Sequence, residues 1–199
     1  LPTRETDSVL GEQTVAFDTK YAYRFVAPGG WEELPATPLV TWTGTDYEFF
    51  WTTNYYSDAS FNPIFWATNF NTLTPDPIRY YTDTTPSWTD FQPALGGANR
   101  FLVQGKIIIP YKDRLVVLHT YEQIGALAFD TFPQRARWSQ NGSPIDVVNG
   151  WLDTVVGRGG YIDAPTQEFI MTAGFVKDEL IVYFSNSTWK LVYTGNAVL

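Results

Sequence analysis

The 199-residue sequence predicts an all-β fold, an irregular β-propeller-like arrangement of antiparallel sheets. Three observations carry this expectation. Short runs rich in Val, Ile, Thr, Tyr, Phe and Trp recur along the whole chain, and such side chains fit a pleated, half-buried surface. Gly, Pro, Asn and Asp interrupt the runs at 28–30, 71–77, 96–97, 141–142 and 157–160, where turns are expected. No window carries an apolar stripe of helical period.

Taken in order, the expected strands begin with 21–26 (YAYRFV), closed by Pro28-Gly29-Gly30. Next come 39–43 (LVTWT), 49–53 (FFWTT) and 64–69 (IFWATN), each a β-branched and aromatic run. The segment 78–81 (IRYY) follows the turn-rich stretch 71–77. The runs 106–110 (KIIIP) and 115–120 (LVVLHT) flank the polar pair Lys112-Asp113 and read as a hairpin. Strands 136–139, 169–174, 180–184 and 188–193 complete the set, the second and third flanking Lys177-Asp178. The best helical candidate, 120–129, holds Gly125 at its centre, which costs roughly 1 kcal/mol against Ala, so no helix is expected there.

Internal similarity adds organisation. FFWTTNY at 49–55 returns as IFWATNF at 64–70, and IIIPYKDRLVVL at 107–118 returns loosely as TAGFVKDELIVY at 172–183. A strand–turn–strand unit cannot cover its own apolar face, whereas stacked or radial copies can. The chain, residues 1–199, reads as one all-β domain or a fragment of a longer protein, part of a larger propeller. Blade boundaries are expected near 30, 75, 100 and 145.

Composition narrows the chemistry. The 44% hydrophobic content supports a buried core, and the net charge of −8 argues against a duplex-DNA binder held by phosphate neutralisation. The absence of cysteine removes disulfides, thiolate metal sites and Cys nucleophiles. No apolar run has the length of a membrane span, so no membrane-spanning segment is expected.

Single residues point to structure rather than catalysis. His119, the only histidine, ends an apolar run and lacks a Gly-x-Ser-x-Gly elbow to serve. Asp113 and Asp178 fall in equivalent Lys-Asp turns, where an Asp hydrogen-bonds nearby backbone. Glu122, Asp130, Asp146, Asp153, Asp163 and Glu168 show no spacing that pairs them for glycoside cleavage. The eight tryptophans are spread along the chain, which suits packing between sheets better than a sugar platform. Gly157-Arg158-Gly159-Gly160 lacks the Lys-Ser/Thr of a phosphate loop and reads as a flexible connection. Asn141-Gly142-Ser143 and Asn186-Ser187-Thr188 match the glycosylation triplet, a pattern that chance supplies often. No catalytic residue, cofactor or metal is expected.

The segment Arg135-Ala136-Arg137-Trp138-Ser139-Gln140-Asn141-Gly142-Ser143-Pro144, followed by Trp151, resembles a phrase of structural proteins from tailed double-stranded-DNA phages. There an Arg-x-Arg-Trp-Ser strand runs into a Gly-x-Pro turn. Flanking segments fit the same pattern: Phe65–Phe70 with Asp76–Tyr81, Lys112–Leu115, Ala164–Thr166, Lys177–Val182 and Ser187–Gly195. The chain thus resembles the β-propeller region of a podovirus-like tail nozzle, tail-hub or head-completion protein. The resemblance implies a non-enzymatic virion component that forms a ring of sister subunits, contacts other tail or portal proteins, and lets DNA pass without specific binding. The alternative expectation is a carbohydrate-binding or glycosidase β-propeller, drawn from the aromatic content and acidic excess.

Overall fold

The computed structural model describes residues 3–7, 11–26, 28–34, 41–56, 63–82 and 85–194. The described residues are all-β, with no helix, and form four antiparallel sheets in chain order. The first holds β1 (Thr3–Asp7), β2 (Gly11–Phe17), β3 (Ala22–Val26) and β4 (Gly30–Glu33). The second holds β5 (Phe50–Tyr56), β6 (Pro63–Asn69), β7 (Ile78–Thr82) and β8 (Thr85–Phe91). The third holds β9 (Phe101–Tyr111), β10 (Arg114–Gln123), β11 (Phe129–Trp138) and β12 (Gly160–Asp163). The fourth holds β13 (Ile170–Val176), β14 (Glu179–Phe184) and β15 (Thr188–Leu191). Each sheet is a meander in which consecutive strands pair.

Three apolar layers join the sheets face to face. Phe65 and Ala67 of β6 turn toward the first sheet and pack with Val15, Ala22, Trp42 and Trp88. Their neighbours Ile64 and Trp66 turn the other way and meet Ile108, Leu115 and Val117 of the third sheet. The opposite face of that sheet, Ile107, Ile109, Val116 and Leu118, packs on Ile170, Leu180, Val182 and Phe184. Side chains alternate across a strand, so a strand buried on both faces must be apolar throughout. β6 follows this over Pro63–Ala67; all seven of its residues are buried, and its two polar ones are paired, the Thr68 hydroxyl to the Gly105 carbonyl and Asn69 Nδ2 to Asp76. Each fully buried aliphatic or aromatic side chain contributes about 1.5–3 kcal/mol.

The repeated Lys-Asp pairs occupy hairpin turns. Lys112-Asp113 joins β9 to β10 with φ of 49° and 58°, the two left-handed residues of a type I′ turn. Lys177-Asp178 joins β13 to β14, with Lys177 at φ 57°. The two turns lie together, Lys112 Nζ standing 3.7 Å from the Asp178 carboxylate.

Several expectations need correction. Residues 41–43 form no strand, and 39–40 lie outside the described residues. The Trp42 N–H bonds to the Lys20 carbonyl, and the Thr43 N–H and hydroxyl bond to Asp76, so this segment plugs a core layer instead of joining a ladder. Residues 120–123 continue β10, and Gly125 sits in the turn that leads to β11. Position 100 lies in the connection between the second and third sheets. Positions 30, 75 and 145 lie within sheets, where punctuating residues turn one strand into the next. Among the described residues, the chain passes between sheets at 41–49, 92–100 and 164–169.

Candidate functional site

The densest polar cluster grows from the Arg-x-Arg alternation of β11. Residues two apart on a strand share a face, so Arg135 and Arg137 project together. Arg137 pairs with Val117 across the ladder and therefore lies on the face turned toward the second sheet. A bulge at His119 shifts the register of β10 so that Glu122 reaches the same place. Arg137 donates to Glu122 through Nε (3.0 Å to Oε1) and Nη2 (2.9 Å to Oε2). Arg135 donates to the same Glu122 at 3.1 Å and clasps Asp163 of β12 at 2.7 and 2.8 Å. Asp153 accepts from Arg137 at 3.1 Å and from both terminal nitrogens of Arg100 at 3.1 and 3.0 Å.

The cluster thus sets three guanidinium groups against three carboxylates, with Arg137 and Glu122 wholly buried. The Thr120 hydroxyl adds a bond to Glu122 at 2.7 Å. Phe132 and Tyr161 cover the Arg135 guanidinium at 3.6 and 4.1 Å. Burial alone would lower the Arg135 pKa, but the Asp163 bonds and the Glu122 and Asp163 charges outweigh it and hold it raised. A carboxylate so enclosed has its oxygens occupied by guanidinium donors, and buried charge tolerates this only when paired and hydrogen-bonded. Sequence reasoning treated these carboxylates as scattered. The missed signal was Arg at alternate positions of one strand, which needs acidic partners on the same face.

The residues after β11 lock the same region. The Trp151 indole N–H donates to the Pro144 carbonyl at 2.8 Å, tying the Gly-x-Pro turn to a fully buried ring. The Ser139 hydroxyl accepts the Leu115 N–H at 3.0 Å. Gly159 is packed so closely that a Cβ would stand 2.6 Å from the Trp151 backbone. Gly160 is packed as closely against the Trp138 ring, so 159–160 is a close-packing joint where a flexible connection is expected, whereas Gly157, at φ 82°, has open space around it.

A second cluster occupies the second sheet. Arg79, 6% exposed, bonds to Asp90 at 2.8 Å and to the Thr41 carbonyl at 3.0 Å, and stands over the Trp42 ring at 4.2 Å. Asp76 receives the Thr43 N–H at 2.7 Å and Asn69 Nδ2 at 3.0 Å.

His119 sits in the β-bulge of β10 at φ 55°, its Nδ1–H donating to the Ile170 carbonyl at 3.3 Å, beside Phe70. Burial drives its pKa down to about 4, the Lys106 charge adding to the effect and the Ile170 bond opposing it. Lys106, itself lowered by burial, also bonds to the Ile170 carbonyl at 3.3 Å.

The remaining carboxylates serve loops. Asp146 accepts the Asn149 and Val148 N–H groups, and those bonds hold its pKa below the usual range. Glu168 accepts the Asn186 N–H at 2.6 Å, and Asp130 the Thr131 N–H at 2.8 Å. Asp113 acts through its carbonyl, which receives the Tyr55 hydroxyl at 2.6 Å and the Gly142 N–H at 2.8 Å. This replaces the side-chain-to-backbone bond expected of it. Both glycosylation triplets start at turns, Asn141 after β11 and Asn186 between β14 and β15.

Trp42, Trp66, Trp88 and Trp151 are buried, and Trp51 and Trp138 pack against the layers from the rim. Trp31 is 53% exposed, against Phe25 at 5.5 Å between centroids, on the outer face of the first sheet. Val176 and Tyr183 are exposed on the outer face of the fourth. A cavity of about 550 Å³ opens beside the third and fourth sheets, walled by Arg114, Trp138, Asp153, Arg158, Tyr161 and Tyr193 among others. Its carboxylate, Asp153, is the one already held by Arg100 and Arg137.

No family model and no curated protein matches this chain. Among the described residues, no three acidic or histidine side chains gather to hold a metal, and no helix is long and apolar enough to cross a membrane.

Proposed function

We propose that the chain is a non-enzymatic structural component of a tailed-phage virion, a propeller-like segment of the tail conduit or hub through which DNA leaves. The observation that carries the reading is the stack: four consecutive meanders packed face to face in chain order. Such a stack turned about an axis is a propeller, and its two end faces are the surfaces that closure or a neighbour must cover. Here those faces present Phe25 and Trp31 at one end and Val176 and Tyr183 at the other. In the Arg135–Trp151 phrase, which carries the phage resemblance, Arg135, Arg137, Ser139 and Trp151 make internal contacts that suit a scaffold role. Its two arginines join β10, β11, β12 and the loop residue Asp153 through ion pairs, and the Trp151 indole ties down Pro144 by a neutral hydrogen bond. A net charge of −8 suits a conduit that repels phosphates and lets DNA slide.

A carbohydrate-handling propeller has one observation in its favour, the aromatic-walled cavity. Against it, four tryptophans are sealed between sheets and Asp153 is tied to two arginines. Sedimentation velocity of the purified chain tests the ring reading. Concentration-dependent growth from 22.6 kDa to one discrete larger species is expected. A species of monomer mass at every concentration would count against it, and glycan binding by that monomer would favour the alternative.

A further inference from the structure

The first three sheets hold four strands each, and the fourth holds three among the described residues. In each four-stranded sheet the last strand lies on the third: β4 on β3, β8 on β7 and β12 on β11. Among the described residues the third strand of the fourth sheet, β15, is instead an edge. The Phe184 N–H bonds to the Ser187 carbonyl at 2.8 Å, which sets the hairpin register. Bonded and non-bonded pairs alternate from there, so Trp189 and Leu191 face β14 through their backbone groups. The N–H and C=O of Thr188 and Lys190 therefore point outward, a template for another strand.

The surroundings continue that edge into a slot. The 550 Å³ cavity runs between residues 191–194, at the end of β15 and beyond it, and the 153–162 segment, which reaches into β12. Ile162 pairs with Ala136 and so lies on the face that packs against the fourth sheet, yet it is 51% exposed. Tyr193, on the other wall, is 45% exposed. The Arg114 Nε is buried with no acceptor, although Nη1 serves the Ser139 and Arg158 carbonyls.

We propose that this slot accepts an extended strand from a second copy of the chain, added antiparallel to β15 by main-chain bonding to Thr188 and Lys190. The proposal rests on the ring reading and names one of its contacts. An apolar residue of the incoming strand covers Ile162, completing the layer between the third and fourth sheets. An acceptor of that strand meets Arg114 Nε. Charge favours another copy as the donor: Arg114 and Arg158 make the slot basic, since Asp153 is matched by its own arginines, while the chain as a whole carries −8.

Amide hydrogen exchange of the full chain at Thr188 and Lys190, run beside a mass measurement at low and high concentration, tests this. Expected is a slowing of both amides by about tenfold or more on assembly, a factor that corresponds to a modest binding energy. Lys190→Pro removes an outward N–H without breaking a bond to β14, and should abolish that slowing and weaken assembly. Ile162→Glu, on a different strand, should do the same and serves if the proline variant fails to fold. Fast exchange at both positions in an assembled ring would overturn the proposal and leave the ring reading standing. Slow exchange at every concentration would mean that the chain covers its own edge, and would also overturn it. A chain that stays monomeric throughout would defeat the ring reading itself.

Discussion

Arg137 and Glu122 face each other across two strands with two parallel hydrogen bonds, at 3.0 and 2.9 Å, and no solvent exposure on either side chain. The pair organises the third sheet, because Arg135, Asp153 and Thr120 all attach to it. Truncating one member leaves the other as an uncompensated buried charge. Arg137→Ala should therefore destabilise by about 3–5 kcal/mol. Chemical denaturation measures this, and a double variant with Glu122→Gln should recover part of the loss. A cost under about 1 kcal/mol would show that the pair behaves as a surface bridge.

Burial of His119 should give the fold a pH dependence whose sign follows from its lowered pKa. Its folded pKa, near 4, lies below the unfolded value of 6.5. The unfolded chain therefore takes up a proton first as pH falls, and stability is lost between about 6.5 and 4. A shift of that size corresponds to roughly 3 kcal/mol at most. His119→Asn keeps a side chain that tolerates φ 55° and removes the titration, so its stability curve should be flatter across that window. Equal slopes for the two proteins would contradict the assignment.

The Lys112-Asp113 turn holds two non-glycine residues in left-handed conformation. Asp tolerates this region and Ala does so poorly, so Asp113→Ala should cost on the order of 1 kcal/mol. Asp113→Gly should be neutral or stabilising, since the Asp113 carbonyl, not its carboxylate, receives Tyr55 and Gly142. Thermal melts of the two variants separate these outcomes; an equal loss in both would point to a role for the carboxylate.

Gly105 lies in β9, where an added Cβ would stand 2.0 Å from a methyl of Val117, while its carbonyl accepts the Thr68 hydroxyl at 2.7 Å. Gly105→Ala should destabilise by about 1–3 kcal/mol through overpacking. Combining it with Val117→Ala should relieve the clash, and an additive loss in the double variant would show the strain lies elsewhere.

The strands legible in the sequence include those at the heart of the stack and the apolar sheet edges β5, β9, β13 and β15. Residues 64–69, 106–110, 115–120 and 180–184 are apolar on one or both faces because layers cover them. The strands that escaped notice were β1, β2, β4, β8 and β12, of which all but β2 are sheet edges. Edge strands carry polar residues, Gly and Pro that blunt unwanted pairing, as in TPSWTDF of β8 and GYID of β12. Their composition reads as turn.

Trp31 is exposed on the outer face of the first sheet, Tyr193 is exposed on the wall of the cavity beside the third and fourth sheets, and Tyr21 is half-buried. Tyr55 instead packs against the layer between the second and third sheets. The side chains of 56–61 lie outside the described residues. The ion network was legible only in part, because a strand pattern shows which residues share a face but not which loop brings Asp153 to meet them.

Electron cryomicroscopy of a phage particle that carries this chain tests the central claim most directly. The account predicts copies arranged in a closed ring on the tail axis, surrounding the channel through which DNA leaves. Copies found away from that axis, singly or in clusters at receptor-binding tips, would contradict it.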